Sequence, residues 1–300
     1  MKISSRPGKA GFFCSLFLAA AWPLAAGTAE LPTFDIALVD LQSAQGKPQA
    51  GSEFLHLTFR AGYDNQPAFS ADSGTVYFTR ALDDQTDIFA YRLDPGQLQQ
   101  VTRTPESEYS PTPVPGRSAI SVVRVEADQR QRLWQIELPS GQAGLLLADI
   151  EPVGYHAWAG PDQLALFVLA EPPQLQWANT ATGKGKVLAD NIGRWLQPVP
   201  DSNAVSFVQK RASGGWLLRR VDRANPVPVT IAPALEETED YVWHPAGFLV
   251  AARGSQLYWL QPGDNARWQA FADLAERGVR EISRLAISPD GRHLAVVHRR

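Results

Sequence analysis

The chain has 300 residues, one cysteine, and 31 acidic against 28 basic residues, for a formal net charge of −3. A single cysteine excludes an internal disulfide framework and a cysteine-built metal site. The slight acidic excess excludes a nucleic-acid binder, which needs a basic face, and the length is enough for a stable core without covalent staples.

In chain order, Lys2, Arg6 and Lys9 precede an apolar run, Gly11–Ala21, and small residues follow at 24–29. Basic, apolar, then small-residue order is the layout of a secretory signal peptide, with cleavage expected after Gly27 or Ala29. The run is short for a spanning helix with flanks of its own, so no membrane span is expected after cleavage; an uncleaved amino-terminal anchor is the alternative. Cys14 leaves with the leader, as do three basic residues and no acidic ones, which takes the formal charge to −6. An exported protein, periplasmic or outside the cell, is expected.

Phe34–Leu41 and Phe54–Phe59 read as two strands, joined by the Gln-, Gly- and Pro-rich stretch Gln42–Ser52, expected to be a flexible loop. From Asp64 to Thr102 four short strands follow one another: Pro67–Ser70, Thr75–Arg80, Asp87–Leu93 and Leu98–Thr102. Alternating apolar and polar positions, punctuated by Asp72-Ser73-Gly74 and Asp94-Pro95-Gly96, carry this reading. The unit recurs. Taking Phe69 as marker, its counterparts are Pro113, Trp158, Pro198, Trp243 and Ile287, at intervals of 44, 45, 40, 45 and 44 residues. Trp134, Trp177, Trp216, Tyr258 and Trp259 fall in third strands and are expected to pack between neighbours, and Ala272–Arg280 is long enough for one or two helical turns. Four strands every 40–45 residues is the pattern of a β-propeller. The last unit stops after two strands, and Phe34–Leu41 and Phe54–Phe59 match the missing pair. The fold class is therefore all-β: a six-bladed propeller over residues 34–300, closed by pairing the amino-terminal strands with the carboxy-terminal blade.

Asn65-Gln66-Pro67-Ala68-Phe69-Ser70, Asp72, Gly74 and Phe78, then Asp87-Ile88-Phe89 and Val101-Thr102, form a pattern. Ser288-Pro289-Asp290-Gly291, Asp35-Ile36 and Leu57-Thr58 repeat its elements in the shared blade. This pattern resembles the propeller repeat of TolB-like proteins, closely in the first and last units and in degenerate form between them. The resemblance implies an exported, non-catalytic propeller that binds a protein segment. TolB-like proteins carry an α/β domain before the propeller; here the propeller begins just after the expected cleavage site, so that domain's interactions are not carried over.

The sequence has no G-x-S-x-G and no H-E-x-x-H. Its five histidines, His56, His156, His244, His293 and His298, fall at unlike positions of the repeat and do not form an expected ligand set. Asp72 and Asp290 are explained by tight turns, with calcium ligation as the alternative. Neither a metal nor a cofactor is expected. The informative positions lie just before each innermost strand, where equivalent residues of six blades ring the central channel. Aligned on the markers these are Asn65, Tyr109, Gly154, Arg194, Glu239 and Ser283, followed by Gln66, Ser110, Tyr155, Trp195, Asp240 and Arg284. A rim offering Asn65, Tyr109, Tyr155, Arg194, Trp195, Glu239, Asp240 and Arg284 suits a polar partner. The expected partner is a protein or peptide segment of the cell envelope, taken up by a monomer. The alternative is an exported lyase, lactonase or glycosidase using Glu239 and Asp240 with a divalent ion.

Overall fold

A computed structural model describes residues 33–44, 47–83, 85–236 and 238–300. The expected leader lies outside the described residues, among which no helix is long and apolar enough to cross a membrane.

The chain opens with β1 (Phe34–Ala44) and β2 (Lys47–His56). Blade 1 follows as β3 (Asp64–Phe69), β4 (Thr75–Leu82), β5 (Gln85–Arg92) and β6 (Gln97–Gln100). Blade 2 is β7 (Ser107–Pro113), β8 (Ala119–Val125), β9 (Gln131–Glu137) and β10 (Ala143–Leu145). Blade 3 is β11 (Val153–Gly160), β12 (Gln163–Val168), β13 (Gln174–Asn179) and β14 (Lys184–Asp190). Blade 4 is β15 (Ile192–Pro198), β16 (Ala204–Gln209), β17 (Leu217–Asp222) and β18 (Val229–Pro233). Blade 5 is β19 (Tyr241–Trp243), β20 (Leu249–Arg253), β21 (Gln256–Leu260) and β22 (Gln269–Asp273). The chain ends with β23 (Arg280–Ile287) and β24 (His293–Arg299), and the sixth sheet runs β2-β1-β24-β23. Within it β1 pairs antiparallel with β24, Asp35 opposite His298 and Asp40 opposite His293. The six-bladed ring and its closure are as the repeat implies. All six markers face the first or second residue of the following strand, from Phe69 opposite Val76 to Ile287 opposite Leu294.

Strand alternation builds the core between blades. On β24, Leu294 and Val296 pack with Val250 and Phe248 of blade 5, while Ala295 and Val297 pack with Val76 and Phe78 of blade 1. The same period of two recurs at each boundary, giving one buried cluster for every pair of neighbouring blades. Burial on both faces is why the second strands read as nearly continuous apolar runs.

Three local expectations are corrected, and the helical turn expected in the last connection is found. The arms of Gln42–Ser52 are not a loop: β1 and β2 pair as far as Ala44 opposite Lys47, because backbone pairing tolerates polar side chains at an exposed edge. Trp216 sits one residue before β17 and packs, half-buried, at the boundary of blades 4 and 5. The Ala272–Arg280 connection holds a single 3-10 turn, Ala275–Arg277, ended by Gly278 at φ 80°. Most of the rim positions lie inside the innermost strands, not before them: Asn65 is in β3, Tyr109 in β7, Tyr155 in β11, Arg194 and Trp195 in β15, and Arg284 in β23. The reason is a register shift in each of these five strands, such as that between Asn65 and Ala68. The shift carries pairing past a polar residue that would otherwise have ended the strand.

Candidate functional site

The repeat motifs are structural. Asp72 accepts from the Ser70 hydroxyl and the Gly74 N–H (3.0 Å), while Thr75 N–H donates to Ser70 Oγ (2.9 Å). Those bonds hold the Asp72 carboxyl below the usual range. Ser288 and Asp290 repeat the turn with Arg292 and His293. Gly291 stands there at φ 74°, and a Cβ would lie 2.6 Å from the His244 ring, whose Nε2–H donates to the Gly291 carbonyl. Thr58 and Thr102 accept from the N–H of Ile36 and Ile88 (2.9 Å each), tying the outermost strand to the third.

A channel of about 380 Å³ runs down the axis, walled by the innermost strands of all six blades. Behind the wall two serines bridge blades. Ser206, fully buried in β16, accepts from Tyr241 Oη and Trp243 Nε1 of blade 5, both at 2.9 Å. Ser121, fully buried in β8, accepts from Trp158 Nε1 of blade 3 (2.9 Å) and shares a 2.6 Å hydrogen bond with His156 Nε2. Burial presses the His156 pKa down to about 3, so its imidazole is neutral at ordinary pH.

At one end of the channel the bulged strands bring polar residues together. Arg284 donates through Nη1 to Asp240 Oδ1 (2.8 Å) and through Nη2 to the Tyr155 hydroxyl (2.9 Å). Arg194 Nη2 takes the other Asp240 oxygen at 2.9 Å. The Arg284 guanidinium also lies 5.5 Å from the Tyr155 ring centre and 5.4 Å from that of Trp195. Burial alone would lower the Arg284 pKa, but Asp240 and the Tyr155 and Tyr63 hydroxyls outweigh it and raise it. Glu239 accepts from Arg194 N–H (2.8 Å) and pairs with Lys210, and Trp195 Nε1 donates to the Tyr241 carbonyl (2.8 Å). Burial and the neighbouring Tyr155 raise the Tyr63 hydroxyl well above the usual range.

Arg194, Trp195, Tyr155, Glu239, Asp240 and Arg284 thus form one connected group. Asp240 and Arg284 are buried in its middle, and Arg194, Trp195, Tyr155 and Glu239 are half-exposed around them. Asn65 is apart from it: buried, its Oδ1 accepts Gln66 N–H at 2.7 Å, which holds Gln66 at φ 57°. Tyr109 is half-buried and packs on the cluster between blades 2 and 3. His244 stacks on Phe248 at 4.2 Å, His56 and His298 lie in the shared blade, and only His156 lines the channel. Among the described residues no three His, Cys, Asp or Glu are grouped to hold a metal ion.

Sequence reasoning missed Tyr63, Ser121, Ser206 and the role of His156. A signal existed: serine interrupts the otherwise apolar strands AISVVRV and AVSFVQ, and each serine precedes a marker tryptophan by 37 residues.

No protein-family model matches the sequence, and no curated protein matches it. Solved structures share its fold. A putative TolB from Agrobacterium tumefaciens superposes with TM-score 0.68 at 13% identity, over 89% of this chain and 98% of that one. A gluconolactonase from Xanthomonas campestris gives 0.62 at 10% identity, over 87% and 95%. An oligogalacturonate lyase in complex with manganese gives 0.58 at 12% identity, over 82% and 80%. The shared six-bladed ring serves proteins of unlike function, so function must be argued from the site.

Proposed function

We propose that this protein is an exported, non-catalytic propeller that holds a protein segment of the cell envelope at the Arg194–Trp195–Tyr155 end of its channel. One observation carries the reading: Asp240 spends both oxygens on Arg194 and Arg284, and Glu239 is engaged by Arg194 N–H and Lys210. Carboxylates committed in this way hold a surface rigid and leave no free base beside it. What the surface offers outward is the half-buried Trp195, Tyr155 and Arg194, residue types that anchor protein interfaces. The basic-apolar-small leader and the TolB-like repeat support an envelope partner.

The alternative, hydrolysis or elimination by Glu239 and Asp240 with a divalent ion, requires both carboxylates to exchange their cationic partners for the metal. Affinity capture from envelope extract separates the readings. Trp195→Ala and Arg194→Glu are expected to reduce recovery of a wild-type partner by at least about tenfold, whereas Arg117→Glu, exposed elsewhere, leaves it unchanged. Equal recovery with all three variants would sink the proposal. Metal retained through purification and lost in Glu239→Ala would favour the enzyme.

A further inference from the structure

The channel itself has features that the rim does not explain. Its volume, about 380 Å³, falls within the range of cavities that hold small ligands, roughly 300–1,000 Å³. No lining residue is Asp, Glu, Lys or Arg. Proline, aromatic and aliphatic side chains, among them Pro111, Pro113, Trp158 and Leu285, make most of the wall.

Two polar atoms in that wall have no hydrogen-bond partner: Ser110 Oγ and His156 Nδ1, on residues only 7% and 6% exposed. Buried polar atoms are paired in the great majority of cases, so two orphans on one cavity call for an explanation. Comparison within the ring sharpens it. His156 and Tyr241 are equivalent, each standing 35 residues after the serine it bonds and two before the marker tryptophan. Tyr241 fulfils the bridging role with its single polar atom and is not part of the channel wall. Histidine does the same job through Nε2 and adds a second nitrogen that bridging does not need. Whether that nitrogen donates or accepts depends on where the Ser121 proton points, to His156 or to the Thr112 carbonyl 3.2 Å away. A hydroxyl or carboxamide satisfies either case.

We propose that the channel interior is a binding site for a small, uncharged, largely apolar molecule carrying a hydroxyl or carboxamide, which pairs with His156 Nδ1 and Ser110 Oγ. Tyr155 and Trp195 border both this interior and the partner surface, whereas His156 and Ser110 belong to the interior and not to the connected group at the rim. A charged ligand would lose its hydration without finding a counter-ion in this wall.

Titration calorimetry with benzyl alcohol and benzamide tests it, against benzoate and benzylamine as charged counterparts. The neutral probes are expected to bind saturably at one site, with the charged ones weaker by about tenfold or more. Ser110→Ala and His156→Phe should each weaken benzamide about three- to tenfold, the range of one neutral hydrogen bond. Ala68→Phe, which fills the channel from a half-buried position, should abolish binding, and Arg117→Glu, exposed and outside the lining, should leave it intact. Circular dichroism checks that each variant is folded; Ser110→Ala removes only one oxygen and keeps the test decisive if His156→Phe does not fold. No saturable binding of either neutral probe, equal binding of their charged counterparts, or benzamide affinity unchanged in Ser110→Ala would overturn the proposal and leave ordered water as the explanation of both orphans.

Discussion

Two places in the ring solve one problem differently. Between blades 4 and 5, Ser206 gathers the Tyr241 hydroxyl and the Trp243 indole, and each polar side-chain atom of these three residues has a partner. Between blades 2 and 3, Ser121 gathers His156 and the Trp158 indole from identical spacings, and one nitrogen is left over on the channel. The saturated version shows what the fold requires of this position: a buried ring that donates to a serine one blade away. Anything beyond that requirement belongs to something other than stability, because an unpaired buried nitrogen costs free energy.

The contrast predicts unequal costs when the serines are removed. Ser206→Ala leaves the buried Tyr241 hydroxyl and the half-buried Trp243 indole without an acceptor, away from the channel wall, and is expected to cost about 2–5 kcal/mol of unfolding free energy. Ser121→Ala orphans the Trp158 indole in the same way, but His156 borders a channel that water can enter, so a smaller loss of about 1–3 kcal/mol is expected. Urea unfolding at neutral pH measures both. Equal losses would mean that His156 is as sealed as Tyr241 and that the channel gives it no relief.

A comparable, pH-dependent difference follows from the histidine alone. Its folded pKa of about 3 lies below the ordinary value of 6.5, so between these values the unfolded chain binds a proton that the folded chain does not. The stability from keeping His156 neutral is therefore fully present above pH 6.5 and is lost as pH falls toward 3. By pH 4.5 the native protein should lose about 2–3 kcal/mol relative to His156→Tyr, at roughly 1.4 kcal/mol per pH unit. Other titrating groups, such as Glu108 with its pKa raised by burial, act alike in both proteins and cancel in the difference. Parallel stability curves for the two proteins would refute a neutral, buried His156.

How far all this was legible in the sequence depends on the range of the interaction. The ring was readable because its signals are local and repeated: turns from Ser70 through Asp72 and Gly74, alternation along Thr75–Arg80, and threonines at 58 and 102 that cap a neighbouring strand's edge. Closure was readable because Asp35-Ile36 repeats Asp87-Ile88. Alignment of the repeats brought six of the eight rim positions into one connected group but also included Asn65 and Tyr109, which stand apart from it. What alignment cannot supply is which way a residue turns at a bulge. Gln66 and Ser110, at φ 57° and 54°, are swung inward and buried, and Asp240 finds its two arginines 46 residues before it and 44 after. The carboxylate and its two arginines belong to three different blades, and no local pattern encodes such a meeting.

The smallest effect tests the comparison most directly. If tyrosine suffices for the bridge, His156→Tyr at pH 8 should leave stability within about 1 kcal/mol of the native protein, because the hydroxyl replaces Nε2 and the added ring volume extends toward an open channel instead of a packed core. Calorimetric or urea unfolding reads this, and benzamide titration of the same sample reads the channel. A variant that stays stable while its channel no longer takes the probe would separate the two duties of this position, with bridging met by either residue and recognition met by histidine alone. A variant destabilised by several kcal/mol would instead make His156 a packing choice specific to blade 3, and the parallel with Tyr241 would then lose its force.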